Sequence, residues 1–250
     1  METPLLNRSK ALNNIPEYKL NEKRMSVIRN CSICSARENK YSIDGLCEKC
    51  RWTFTAYNRY LEANIPLEYW DLKMDKDFSG DKRLLEKYHA YISDLRNISA
   101  NGKSICFSGR AGTGKTMTST AILQKACQKG YSCLYTTLYD VVNVLTQAPF
   151  DEQYCARREL TMVGFLVIDE FDSRFIGTDN AANLYARTLE MIFRTRTQNK
   201  LPTIMCTNSP NIIETFTGQM KESLDSLIKG YIEIFPVLGE DFRKRKINEL

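Results

Sequence analysis

Leu84, Leu85, Tyr88, Tyr91, Ile92 and Leu95 recur at intervals of three and four residues, a period that predicts one amphipathic helix from about 82 to 98. That helix is expected to close near Asn101-Gly102. Beyond it the pattern changes. Short apolar runs at 104–108, 132–137, 164–169, 203–207 and 231–235 read as strands. Between them lie helical stretches at about 114–129, 139–146, 183–197 and 221–229, the first closed by Gly130. Strands that alternate with helices, several of them apolar on both faces, predict an α/β fold whose parallel sheet is covered on both sides. Residues 1–60 do not follow this rhythm; they are polar, punctuated by cysteine and poor in periodic apolar faces. They are expected to form a separate small module, followed by a larger domain over 61–250, of which 61–100 is a lead-in segment and helix.

Composition narrows the class. With 43% hydrophobic and 26% charged residues the chain is globular, and no apolar run approaches the roughly 18 residues that span a bilayer. The first twenty residues lack a basic segment followed by an apolar one and a small-residue cleavage site, so a cytoplasmic protein without membrane partners is expected. Nine cysteines, an odd number, argue against a disulfide framework in that compartment. The net charge of +5 permits nucleic-acid binding without requiring it. His89 is the only histidine, which removes every two-histidine metal site and any histidine triad built elsewhere. It sits at the edge of a helical stripe and is expected to be an ordinary boundary residue.

The strongest chemical signal is Gly109, Arg110, Ala111, Gly112, Thr113, Gly114, Lys115 and Thr116, placed between a predicted strand and a predicted helix. This is a P-loop in its proper context: glycines let successive N–H groups curl around phosphates at a helix N-terminus, where the dipole favours anions. Lys115 is then expected to reach the β- and γ-phosphates of ATP, and Thr116 to hold Mg²⁺. A second strand, Phe165 to Asp169, ends in the acids Asp169 and Glu170 at the edge where parallel sheets bind ligands. Asp169 is expected to complete the Mg²⁺ site and Glu170 to orient and deprotonate the attacking water. Asn208, just beyond another strand, is either a turn residue or an amide that touches the γ-phosphate or the water.

Cys31, Cys34, Cys47 and Cys50 form two CxxC knuckles twelve residues apart, the spacing of a tetrahedral structural Zn²⁺ site. An iron–sulfur cluster shares these ligands but less often this spacing, and four non-ligating thiols are the remaining alternative. Cys106, Cys127, Cys133, Cys155 and Cys206 lie mostly in predicted strands or helices and read as core residues. Trp52, Phe54, Tyr57 and Tyr60, which follow the knuckles, fit a small core better than a base-stacking platform. Near the end of the sequence, Arg243-Lys244-Arg245-Lys246 is a phosphate-backbone contact, a solvated tail, or, at Arg243, a residue that faces the nucleotide.

Taken together, the cysteine-knuckle module, Ile65-Pro66 with Tyr69-Trp70, the P-loop, Asp169-Glu170, Thr207-Asn208 and Asp241-Phe242-Arg243 resemble the DnaC/DnaI group of AAA+ replicative helicase loaders. The similar IstB transposition helper ATPases share most of these features. The resemblance covers about 61–246, and reaches the N-terminus only as a type of module. It implies a P-loop AAA+ sheet with a minimal or absent C-terminal lid, and a core that binds ATP and single-stranded DNA. It further implies an N-terminal module that grips a hexameric replicative helicase, and copies that stack into a spiral. Asn208 matches the sensor 1 position and Arg243 the sensor 2 arginine. One position departs. Where the family carries an arginine finger before the last strand, this chain has Ser226, with Lys229, Arg194 and Arg196 as the cations nearest in sequence. A finger accelerates hydrolysis by roughly 10³ or more, so the expectation is tight ATP binding and a weak ATPase, slower than about 1 s⁻¹ without partners. The rival readings are a transposition helper that binds duplex DNA and recruits a transposase, and a zinc-module adaptor with a vestigial ATP site.

Overall fold

The computed structural model describes residues 48–171, 179–209 and 219–241, and side chains within these spans except at 48–51, 179–187, 219–221 and 223–224. Five parallel strands form one sheet: β1 (Ser104–Ser108), β2 (Cys133–Thr137), β3 (Phe165–Asp169), β4 (Thr203–Thr207) and β5 (Ile232–Pro236). Their spatial order is β2-β3-β4-β1-β5. The chain therefore leaves β1, crosses to the far edge at β2 and returns strand by strand, which brings the C-terminal ends of β1, β3 and β4 side by side.

Both faces are covered. Leu166 and Ile168 of β3 point into one core with Leu134 and Met205, and Phe165 and Val167 into the other with Ile105, Phe107 and Ile204. This alternation makes β3 buried along its whole length. The first core is closed by α6 (Leu138–Gln147), α7 (Phe150–Met162), α8 (Asp179–Gln198) and α9 (Gln219–Tyr231). The second is closed by α1 (Glu48–Glu62), the short α2 (Met74–Asp77), α3 (Lys82–Ser93), α4 (Leu95–Asn101) and α5 (Lys115–Gln128). Among the described residues no helix follows β5, and none is long and apolar enough to cross a membrane.

The predicted strands and most predicted helices are present, with two differences. The single helix expected over 82–98 is broken at Asp94, whose φ −110 and ψ 21 leave the helical range. The bend turns Leu95 and Ile98 into the core, and Gly102, at φ +64, ends the second piece. Helix α7, Phe150–Met162, was not foreseen. Only Ala156 and Leu160 on it are buried, so it has almost no apolar stripe to betray it; Pro149 before it and Asp151 and Glu152 in its first turn are its start signals.

The core reaches back to Ala56 and Tyr60 of α1. Tyr57 stacks on Trp70 with ring centroids 5.2 Å apart, and Tyr60 meets the same indole edge-on at 6.0 Å. Arg59 donates to the carbonyls of Cys127 and Gln128 at 3.0 and 3.2 Å, placing a cation on the C-terminal end of α5. Trp52, by contrast, is exposed. His89 is half-exposed and pairs with Asp75 at 2.8 Å, as a boundary residue does.

Candidate nucleotide-binding site

The turn from β1 into α5 is held from three sides. Gly109 N donates to Thr207 O at 3.2 Å, Val237 N to Ser108 O at 2.7 Å, and the Ser108 hydroxyl to Ser209 O at 2.7 Å. The loop is thereby bound to the ends of β4 and β5. Thr113, fully buried, donates to Arg110 O at 2.8 Å and closes the loop on itself. Gly114 has φ +90, and a β-carbon there would lie 2.5 Å from the Phe78 ring; only glycine fits. Lys115 is 6% exposed, and its ammonium donates to Gly109 O at 2.8 Å and Arg110 O at 2.6 Å, so the amine lies folded along the loop.

Across from the loop, at the end of β3, Asp169 is 4% exposed and held at both oxygens: Tyr135 Oη donates to Oδ2 at 2.8 Å and Glu170 N to Oδ1 at 2.7 Å. Burial and the Asp169 charge push the Tyr135 hydroxyl far above the usual phenol range, so it stays a donor. Glu170 is exposed with φ +51, a left-handed conformation rare for a residue of its size. Phe171 is wholly buried, with its N–H on Cys206 O at 2.8 Å, which holds the chain just past that turn.

These groups share one cleft of about 750 Å³. Its lining includes Ala111, Gly112, Gly114, Lys115 and Thr116 from the loop and helix, Asp169 and Glu170 from β3, and Asn208 from the end of β4. Gly109, Arg110 and Thr113 shape the loop without lining the cleft, and Arg243 lies outside the described residues. Met117 of α5 and Cys206 of β4 add to the lining, and the rest comes from the lead-in, with Tyr69, Lys76 and Phe78 among it. Sequence reading singled out Tyr69 only as part of a resemblance and gave Lys76 and Phe78 no role. The P-loop N–H groups, the α5 N-terminus and Lys115 suit an oligophosphate. The hydroxyl of Thr116 and the carboxylate of Asp169 are hard oxygen donors of the kind Mg²⁺ accepts in small number.

Cys31, Cys34 and Cys47 lie outside the described residues, and of Cys50 only the backbone within α1 is described. Among the described residues no cluster of three or more His, Cys, Asp or Glu groups is arranged to hold a metal. Cys106, Cys127 and Cys206 are buried and Cys133 and Cys155 partly so.

The cations near the missing finger separate sharply. Arg196 is 1% exposed and donates to Leu160 O, Val163 O, Pro202 O and Thr203 Oγ1 at 2.7 to 2.9 Å. Burial pushes its pKa down to about 9. It ties α7, α8 and β4 together and has no route to a neighbouring subunit, which corrects its candidacy. Arg194 pairs with Glu190 and Lys229 with Asp225, each at 2.7 Å on the surface of its own helix. Ser226 is exposed.

The sheet order and the loop define a P-loop protein of the AAA+ type. Residues 61–211 match the IstB-like ATP binding protein family, and the chain belongs to that family. It is 27% identical over 194 residues to the replicative helicase loader DnaC of Escherichia coli, across 75% of this chain and 70% of that one. In fold it is similar to the crystal structure of the DnaC helicase loader, with a TM-score of 0.55 at 19% identity over 69% of this chain and 100% of that chain. AMPPCP-bound DnaA from Aquifex aeolicus gives a TM-score of 0.56 at 19% identity over 74% of this chain. This chain spans little more than half of that structure, 56% of its length.

Proposed function

We propose that this protein is an ATP-switched loader of a replicative DNA helicase. The observation that carries the reading is the gathering of Lys115, Thr116, Asp169, Glu170 and Asn208 into one cleft; similarity to DnaC of Escherichia coli supplies the class of partner. ATP binding moves the Lys115 ammonium from the loop carbonyls to the β- and γ-phosphates. Thr116 and Asp169 would hold Mg²⁺, which would supply positive charge to neutralise the phosphate oxygens. Glu170 orients the attacking water and takes its proton, and Asn208 senses the γ-phosphate. With serine at 226, hydrolysis is slow in the absence of partners, and the nucleotide state acts as a switch.

Single-stranded DNA is the second ligand of this reading. On α7, Phe150 and Tyr154 are 80% and 62% exposed, and Arg157 and Arg158 follow at helical spacing on the same side. Exposed aromatic rings offer stacking worth about 1–3 kcal/mol per base, and arginines offer contacts to phosphates. The N-terminal knuckles Cys31, Cys34, Cys47 and Cys50 would hold Zn²⁺ and present the surface that grips the helicase.

The test is co-purification with a hexameric replicative helicase in ATP and in ADP, using the intact chain, Lys115→Ala and a variant lacking residues 1–47, which spares α1 and its buried Tyr60. Nucleotide-dependent retention by the intact chain, lost in the truncated form, supports the loader. Retention unaffected by Lys115→Ala points to an adaptor with a vestigial ATP site. No retention, with ATP-dependent assembly on duplex DNA instead, favours a transposition helper.

A further inference from the structure

Tyr135 occupies the middle of β2, an edge strand of the sheet. In the β2–β3 register it is paired with Val167, two residues before Asp169. The phenol crosses that diagonal beneath the sheet's C-terminal edge and donates a buried hydrogen bond to Asp169 Oδ2. Because Glu170 N already fixes Oδ1, the two donors set both the rotation and the depth of the carboxylate. A carboxylate restrained in this way presents its remaining lone pairs in one direction, whereas an unrestrained one has several rotamers to lose on meeting a cation.

The main chain of the same residue carries a second connection. Tyr135 N donates to Ala63 O at 2.7 Å, and Tyr135 O accepts from the Asn64 side-chain amide at 3.0 Å. Asn64 has φ +55, the left-handed conformation that asparagine tolerates, and there the chain turns off the edge of β2. It is then pinned by Trp70 Nε1 on Ile65 O at 2.8 Å and by Gln124 on Tyr69 O at 2.6 Å. From Tyr69 to Phe78 this strap contributes to the lining of the cleft. One residue thus meets the strap with its backbone and the acid at the cleft floor with its side chain.

We propose that Tyr135 is a positioning residue: its hydroxyl sets Asp169 for Mg²⁺, and through Asn64 it couples the placement of the lead-in strap to the geometry of that metal site. The proposal rests on the reading of Asp169 as the metal-side carboxylate. Tyr135→Phe keeps the ring in the core and removes only the donor. The measurement is the affinity of a fluorescent ATP analogue, first in EDTA and then titrated with Mg²⁺, for the full-length wild-type, Tyr135→Phe, Asn64→Gly and Asp169→Asn proteins, with thermal unfolding of each.

Tyr135→Phe is expected to bind the analogue in EDTA as the wild type does, and to need about tenfold more Mg²⁺ for the metal-dependent gain. Asn64→Gly, which retains the left-handed turn but loses the amide, is expected to shift the Mg²⁺ requirement in the same direction by a smaller factor. A Mg²⁺ curve for Tyr135→Phe that overlays the wild type overturns the positioning role. A normal Mg²⁺ curve for Asn64→Gly overturns the coupling. If Asp169→Asn itself leaves the metal dependence unchanged, it is the assignment of Asp169 that fails. Should Tyr135→Phe unfold at a much lower temperature and lose affinity in EDTA to the same extent as in Mg²⁺, the hydroxyl is structural and the proposal is wrong.

Discussion

The carboxylate of Asp241 rests against the backbone of Gly112: a β-carbon on residue 112 would lie 2.0 Å from Asp241 Oδ1. The chain just past β5 therefore packs directly on the phosphate loop. Gly112 also has φ +77, which an alanine would hold only under strain. Gly112→Ala is expected to weaken ATP binding by at least about tenfold while circular dichroism stays native, since the loop must move away from Asp241 and change its backbone conformation at once. Titration with a fluorescent ATP analogue checks this; unchanged affinity would mean that the loop does not need this shape to bind.

The same contact places a negative charge where an anionic ligand is expected. Asp241→Asn keeps the volume and removes the charge, and is expected to tighten ATP binding a few-fold at low salt. Screening predicts that the gain shrinks as ionic strength rises toward 1 M, where the Debye length falls to about 3 Å. Binding measured across a salt series tests this, and a gain that does not depend on salt would argue for a steric cause.

Arg196 is expected to matter for folding and not for turnover. Arg196→Met strips hydrogen bonds from four acceptors, three of them in buried bonds, a loss of about 1–3 kcal/mol for each buried one, partly offset by no longer burying a charge. A net destabilisation of about 3 kcal/mol corresponds to a fall in Tm of roughly 6–12 °C for a chain of this size. Hydrolysis per folded molecule should be unchanged. A stable variant with lost hydrolysis would return Arg196 to candidacy as a finger.

Ser226→Arg tests the absent finger directly. The residue is exposed on α9, so the substitution has room to be tolerated. If copies associate head to tail around ATP, the variant should hydrolyse ATP about tenfold faster or more, with a rate per molecule that climbs with protein concentration. A rate that stays flat over a concentration range in which assembly is seen would rule out α9 as the element that reaches the neighbour's nucleotide.

The buried thiols set a pH dependence. Burial pushes the Cys106 thiol up to about 12 and the Cys206 thiol well above its ordinary value of 9.0. With the folded pKa raised, the folded state keeps protons that the unfolded chain releases above pH 9. Stability is therefore undiminished below that pH and falls as pH rises toward 12, by up to about 1.4 kcal/mol per pH unit per thiol. Urea unfolding at pH 8 and pH 10 should show a smaller drop for Cys106→Ser than for the wild type. Alkylation mapped by mass spectrometry at pH 8 should modify the partly exposed Cys155 well before Cys106 or Cys206.

Much of the domain is written in local pattern. The unbroken apolar run Phe165 to Ile168 ahead of Asp169, the interval of three and four in α3 and the glycine spacing of residues 109–114 are properties of neighbouring residues, so strand, helix and phosphate loop follow from the chain itself. The P-loop and the Asp169-Glu170 pair were recognisable because both need particular residues at adjacent positions. Where burial is thin, the pattern fails: α7 buries only two side chains and gave no stripe to read, and the break at Asp94 is decided by where Leu95 and Ile98 must point.

What the tertiary structure alone decided is which residues meet. Arg194 and Arg196 are two apart in sequence and equivalent in composition, yet one is a surface ion pair and the other a buried clamp across three elements. Tyr135 read as an ordinary strand residue, and only the β2–β3 register puts its hydroxyl on Asp169. Lys76 and Phe78 line the cleft because Asn64 turns the lead-in off the sheet edge and Trp70 and Gln124 hold it there. Periodicity reports the side of its own element that a residue faces; its partner across the fold is chosen by packing among distant segments, and that choice leaves no mark on the residues next to it.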